Sequence, residues 1–128
     1  MRTKLTLQDL IIPYIEDGKL IIKALKENYN GADYSSARLT TQNKGDWTYG
    51  RMEIRAKLPT GLGTWPAIWM MPTNSVYGGW PNSGEIDIME HIGCDNGNVH
   101  GTIHCNEYNF TNNTQQGGSI DNILASTG

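Results

Sequence analysis

Long apolar runs are missing from this sequence. No stretch approaches the roughly 18 apolar residues of a membrane-spanning helix, and the N-terminal MRTKLTLQDL lacks the apolar core of a signal peptide. No membrane partner is therefore expected, and no export signal is visible. A surplus of either charge is missing too: ten Lys and Arg stand against 13 Asp and Glu, a net charge of −3. Nucleic acid, which calls for a basic surface, is not an expected partner. Cysteine is scarce. Cys94 and Cys105 are too few for a disulfide framework, and neither their spacing nor their flanking residues make a zinc signature. Free, partly buried thiols are the expectation. Helical periodicity is absent as well, and no internal repeat or linker is visible.

What is present is strand and turn. In YIEDGKLII, residues 14–22, Asp17-Gly18 lies between apolar runs, the pattern of a tight hairpin whose two turn residues need positive φ. In RMEIRAKL, Arg51 to Leu58, apolar and charged residues alternate strictly, which predicts a half-buried strand. The segments TWPAIWMMP, GEIDIMEHI and VHGTIHC follow, each bounded by Gly, Asn or Pro. This turn-rich pattern predicts an all-β fold of the sandwich type. The stretch from Asn109 to Gly128, rich in Asn, Thr, Gln, Gly and Ser, reads as loop. Its sequons at Asn109 and Asn112 match a pattern short enough to arise by chance.

GEIDIMEHIG, residues 84–93, poses a geometric problem. Glu85 and Asp87 share a strand face, but Glu90 is an odd step away and should point to the other side. One extra residue accommodated in a β-bulge around Ile88-Met89 shifts the parity and brings Glu90 onto the face of the other two. The glutamates are then about 13 Å apart at Cα, at ~3.3 Å per step, and their side chains can lean together. Carboxyls about 5–5.5 Å apart suit a retaining glycosidase, one acting as nucleophile and the other as acid and then base. The aspartate between them shares a proton or hydrogen bond and separates their roles. A solvated acidic edge is the plainer reading, but three like charges on one face cost stability unless something uses them.

These residues resemble the family 16 glycoside hydrolases, and within them the laminarinase-like endo-β-1,3-glucanases, whose signature E-x-D-x-x-E is met by Glu85, Asp87 and Glu90. YGRMEIRAKLP, GTWPAIWMMP, GGWPNSGEIDIMEHIG and VHGTIH look like successive blocks of that family, over about residues 14–120. The resemblance implies a jelly-roll (concanavalin-like) β-sandwich and retaining hydrolysis of β-1,3-glucosidic bonds. It makes Glu85 the nucleophile, Glu90 the acid/base and Asp87 the assisting residue. Polysaccharide is then the partner and an extracellular location is expected. The same resemblance admits an agarase- or carrageenase-type galactan hydrolase. The residues alone also leave open a non-catalytic carbohydrate-binding sandwich, although such a module has no need of the acidic trio.

Sugar C–H faces pack on indole rings. Trp65 and Trp69 share a strand face and are candidate substrate-binding residues; Trp80, in GGWPNSG, is a rim candidate, and Trp47 is assigned a structural role. Arg51 offers donors to sugar hydroxyls. His104, if its strand turns back along the catalytic one, approaches Glu90 and either orients it or binds a sugar hydroxyl. The family's jelly roll has strands beyond those seen here, so residues 1–128 are expected to form part of a catalytic domain, lacking its C-terminal strands and open to association through sheet edges. Activity is assigned to the parent domain. No cofactor or metal is expected; the family's structural calcium is held near segments absent from this chain.

Overall fold

The computed structural model describes residues 13–95 and 97–121. The chain divides into two compact units, with the boundary between Gln42 and Asn43. The N-terminal decapeptide and the residues after Asp121 lie outside the described residues.

The first unit contains two hairpins. Strand β1, Tyr14–Glu16, pairs antiparallel with β2, Lys19–Ile21. Asp17 and Gly18 turn between them with φ of 49° and 70°, as the Asp-Gly signal requires. Strand β3, Leu25–Tyr29, pairs with β4, Ala32–Ser35, around Asn30 and Gly31, again both at positive φ. That Asn-Gly pair is the same signal and went unread in the sequence.

The second unit is built on a four-stranded antiparallel sheet. Strands β5 (Ala67–Met70), β6 (Glu85–Glu90), β7 (Val99–His104) and β8 (Gln116–Ile120) lie side by side in sequence order. Beyond β5 and β6 the pairing runs on, His91 N donating to Pro66 O at 3.1 Å and Gly93 N to Thr64 O at 2.9 Å. A side chain at position 93 would collide with Gly61 O and the Thr64 hydroxyl, so a glycine lets this turn close down on the strand end.

Three expectations need correction. RMEIRAKL forms no strand in the structure, and almost all of it is exposed. Its alternation marks a face suited to pairing, but a strand needs a neighbour to exchange hydrogen bonds with, and no described strand lies along it. The stretch from Asn109 onward is not all loop. It forms a single 3-10 turn, Phe110–Asn112, and then β8, whose Ile120, Ser119, Gly118, Gly117 and Gln116 face Val99 to Ile103. The thiols of Cys94 and Cys105 are free; Cys94 is exposed rather than partly buried.

No apolar side chain among the described residues is buried; the buried ones are Asp87, His91, His104 and Asn109. Cross-strand partners Ile86 and Ile103 are 49% and 54% exposed, on the face opposite Asp87 and His104. The interior thus lies on the polar side of the sheet, around Asp87.

Candidate active site

The position of every acid in GEIDIMEH follows from one irregularity in β6. Against β5, Asp87 faces Trp69 and Met89 faces Ile68, so Ile88 is left without a counterpart. Against β7, Asp87 faces Thr102 and Glu90 faces His100, the same one-residue slip. The bulge therefore sits at Ile88, and it returns Glu90 to the face of Glu85 and Asp87. All three line one cleft of about 340 Å³ with Trp65, Ala67 and Trp69.

Each acid is held differently. Glu90 receives Trp65 Nε1 on Oε1 at 3.0 Å and the Thr102 hydroxyl on Oε2 at 3.5 Å. Donors to both oxygens fix the plane of its carboxyl. Asp87 has only 4% of its side chain exposed. Burial pushes its carboxyl up to about 6, the charges of Glu85 and Glu90 push the same way, and Asp87 in its acid form donates a hydrogen bond to Glu85; only His104 opposes the rise. Asp87 is thus placed to hold a proton, and that proton points at Glu85.

His104 stands behind Asp87. Its Nε2 lies 3.2 Å from Asp87 Oδ2, and its strand position is opposite Glu85. The expectation that it approaches Glu90 is corrected: the residue across from Glu90 is His100, and the hydroxyl that reaches Glu90 belongs to Thr102. His104 is closed off by Trp80, at 5.9 Å between ring centroids, and by Phe110, edge-on at 6.2 Å. Trp80 and Phe110 pack on each other at 5.2 Å. The loop before β6 sets Trp80 in place: Ser83 donates to Gly78 O at 2.6 Å and accepts from Tyr77 N, while Gly84 N closes a turn on Pro81 O. Phe110 is carried by a loop organised on buried Asn109, whose amide donates to Cys105 O and Asn106 O and whose Oδ1 accepts from Asn112 N.

Of the residues singled out in the sequence, Trp65, Trp69, Glu85, Asp87 and Glu90 converge on the cleft. Trp80 does not line it and meets the acids through His104. Arg51 does not line it either; its exposed guanidinium pairs with Glu53. Trp47 is 58% exposed. Thr102 and Phe110 were missed as functional candidates. Thr102 shares a strand face with His100 and His104 by the period of two, and that parity was its available signal.

A model of the GH16 family described as "XgeA-like, catalytic GH16 domain" matches residues 8–126. The chain belongs to the GH16 glycoside hydrolases. It is 59% identical over 105 residues to a β-glucanase of Rhodothermus marinus, covering 80% of this chain and 37% of that protein. It is 51% identical over 98 residues to glucan endo-1,3-β-glucosidase A1 of Niallia circulans, covering 71% of this chain and 14% of that one. The X-ray structure of the Rhodothermus marinus laminarinase superposes with a TM-score of 0.85 at 54% identity, over 89% of this chain and 46% of the laminarinase. The chain thus spans less than half the length of these relatives. Its fold is that of the family's jelly-roll β-sandwich, of which this chain is a part.

Asp87 gives a pH test. A carboxyl raised in the folded state stabilises the fold fully below its unfolded value of 3.8, and that contribution is lost as pH rises through about 6. Asp87→Asn carries a neutral donor at every pH. In the protein of which this chain is part, the variant is expected to match wild type near pH 3.5 and to exceed it in stability above pH 6, by at most about 3 kcal/mol at ~1.4 kcal/mol per pKa unit. Thermal unfolding at pH 3.5, 5 and 7 measures it. Parallel pH curves for the two proteins would show that Asp87 does not hold this proton.

Proposed function

We propose that the protein of which this chain is part is a retaining endo-glycosidase that cleaves β-1,3-glucosidic bonds of β-glucan. The observation that carries this reading is the bulge at Ile88, which gathers Glu85, Asp87 and Glu90 on one cleft beside two indoles. The names of the relatives, β-glucanase, glucan endo-1,3-β-glucosidase and laminarinase, support the substrate. An extracellular setting is part of the proposal, since the substrate is a polymer. Among the described residues no helix is long and apolar enough to cross a membrane.

In the first step the Glu85 carboxylate attacks the anomeric carbon while the bond to the linking oxygen breaks and Glu90 delivers its proton to that oxygen. Asp87, donating to Glu85, steadies the nucleophile before attack and gives it a partner again when it leaves. In the second step Glu90, now a base, takes a proton from water as the water displaces Glu85, and both carboxyls return to their starting states. The indoles of Trp65 and Trp69 offer apolar faces to the sugar rings, and Trp65 additionally fixes Glu90. No step calls for a metal or cofactor.

The test is stereochemical. The complete enzyme should release reducing ends from laminarin faster than from agarose or carrageenan, and NMR of the first-formed product should show the β anomer. Added sugar acceptors should give transglycosylation products, because water and acceptor compete for one intermediate. An α anomer as first product would overturn the double displacement, and faster release from a galactan would overturn the substrate.

A further inference from the structure

Two buried side-chain nitrogens among the described residues have no hydrogen-bond partner, His91 Nε2 and His104 Nδ1. The mechanism above uses neither ring. His91 is accounted for by the turn into β7: its Nδ1 lies 2.8 Å from Asn98 O and carries the hydrogen, since a carbonyl only accepts. His104 is different, because the other nitrogen of its ring meets an acid of the cleft, Asp87 Oδ2 at 3.2 Å.

Register explains how it gets there. Glu85 lies opposite His104, Asp87 opposite Thr102 and Glu90 opposite His100. Side chains of β7 reach diagonally, Thr102 to Glu90 and His104 to Asp87, each one pair along from its own partner. Strand β7 thus supplies one group to Glu90 and one to Asp87.

The imidazole can face Asp87 in three forms, and its surroundings separate them. With the hydrogen on Nε2 the ring donates to Asp87 Oδ2, and Nδ1 is left as a bare lone pair. With the hydrogen on Nδ1, a buried N–H has no acceptor, and the acid hydrogen of Asp87 must turn away from Glu85 to the ring. The doubly protonated ring buries a charge beside the same orphaned N–H, and that charge opposes the proton on Asp87. Trp80 and Phe110, which pack on the ring, carry no acceptor to relieve either form. The first form alone leaves no buried hydrogen without a partner.

We infer that His104 is a positioning residue: fixed as the Nε2–H tautomer, it donates to Asp87 Oδ2 and commits the acid hydrogen of Asp87 to the other oxygen, for Glu85 to accept. It is a static donor and not a proton shuttle, since a proton leaving through Nδ1 has no group to receive it. Its part in turnover rests on the glycosidase reading above. Its tautomer does not.

Nitrogen-15 NMR of the complete protein, labelled at histidine and assigned with His104→Gln, reads the tautomer. At neutral pH, Nε2 should carry a hydrogen and Nδ1 should have the shift of a bare ring nitrogen. Hydrogen on Nδ1, alone or together with Nε2, would overturn the assignment. The ring measured is the wild-type one, so the result stands whether or not a substituted protein folds. Kinetics on laminarin then test the role. His104→Leu should lower kcat by about 10- to 100-fold, the cost of leaving that buried oxygen without a donor, with KM little changed. His104→Gln offers an amide N–H to the same oxygen and should recover most of the loss. Introduced into Asp87→Ala, His104→Leu should cost nothing further, because it acts through that carboxyl. Equal losses in the Gln and Leu variants, a loss confined to KM, or a full added loss on the Asp87→Ala background would overturn the positioning role. A wild-type protein with the expected tautomer but inert toward laminarin would instead sink the glycosidase reading.

Discussion

If the proposed function holds, Glu85→Ala in the complete protein is expected to lower laminarin turnover by a factor on the order of 10⁵, the scale of loss when a covalent nucleophile is removed. The size follows from the role proposed for it: without this carboxylate no glycosyl-enzyme forms, and the two-step path has no first step. Neighbouring acids cannot substitute. Asp87 is buried and keeps its proton up to about pH 6, and Glu90 is held by Trp65 and Thr102. Azide is small enough to enter the space vacated. It should attack the anomeric carbon from the side Glu85 occupied and give the α-glycosyl azide, with one inversion in place of two. NMR of that product is the check. Residual turnover within tenfold of wild type would remove Glu85 from the nucleophile's role.

Glu90→Ala should behave in the opposite stereochemical sense. Its loss should cost about 10² to 10⁴ in turnover of laminarin, the usual range for a positioned general acid and base. Much less should be lost on an aryl glycoside with a good leaving group, because such a group departs without a proton. Azide should now intercept the glycosyl-enzyme on the face where water attacks and give the β-glycosyl azide. The pair of substitutions thus yields two anomers of one compound. If both variants gave the same anomer, nucleophile and acid/base would be wrongly apportioned between the two glutamates. Trp65 and Thr102 lose their acceptor in this variant, but Trp65 is 66% exposed, so water replaces the partner at small cost in stability.

The carboxylate strand was legible because parity is a hard constraint. Three acids at spacings of two and three within an apolar run can share a face only through one surplus residue, and the structure places it at Ile88. The Asp17-Gly18 hairpin was legible for a similar reason, since positive φ at two consecutive positions admits few residues. β8 was not legible. Two glycines in QGGSI remove the side chains from which strand character is read, and the strand exists because β7 offers it a partner. RMEIRAKL failed in the converse way: its alternation is strong, and partner strands are what it lacks. The partner of His104 also escaped sequence reading. A period of two identifies its face, but whether it meets Glu90 or Asp87 depends on the length of the turn through residues 91–98, which sets the register of β7 on β6.

The surplus residue also changes how the strand responds to edits in its length. Ile88 contributes no ladder partner on either side, so its deletion would leave Met89 beside Asp87 with the flanking pairings, Asp87 to Thr102 and Glu90 to His100, already in continuous register. Glutamate, aspartate and glutamate would then follow at even steps, and all three would stay on the cleft face of a regular strand. Loss of Met89 instead would give the same regular strand with Ile88 in the paired position, whereas loss of Ile86 or Asp87 would disturb the acids before the bulge. A second insertion would need a second bulge. Between Asp87 and Glu90 the strand thus has two lengths compatible with the same carboxyl arrangement, so a frame of three bases carries little geometric consequence there.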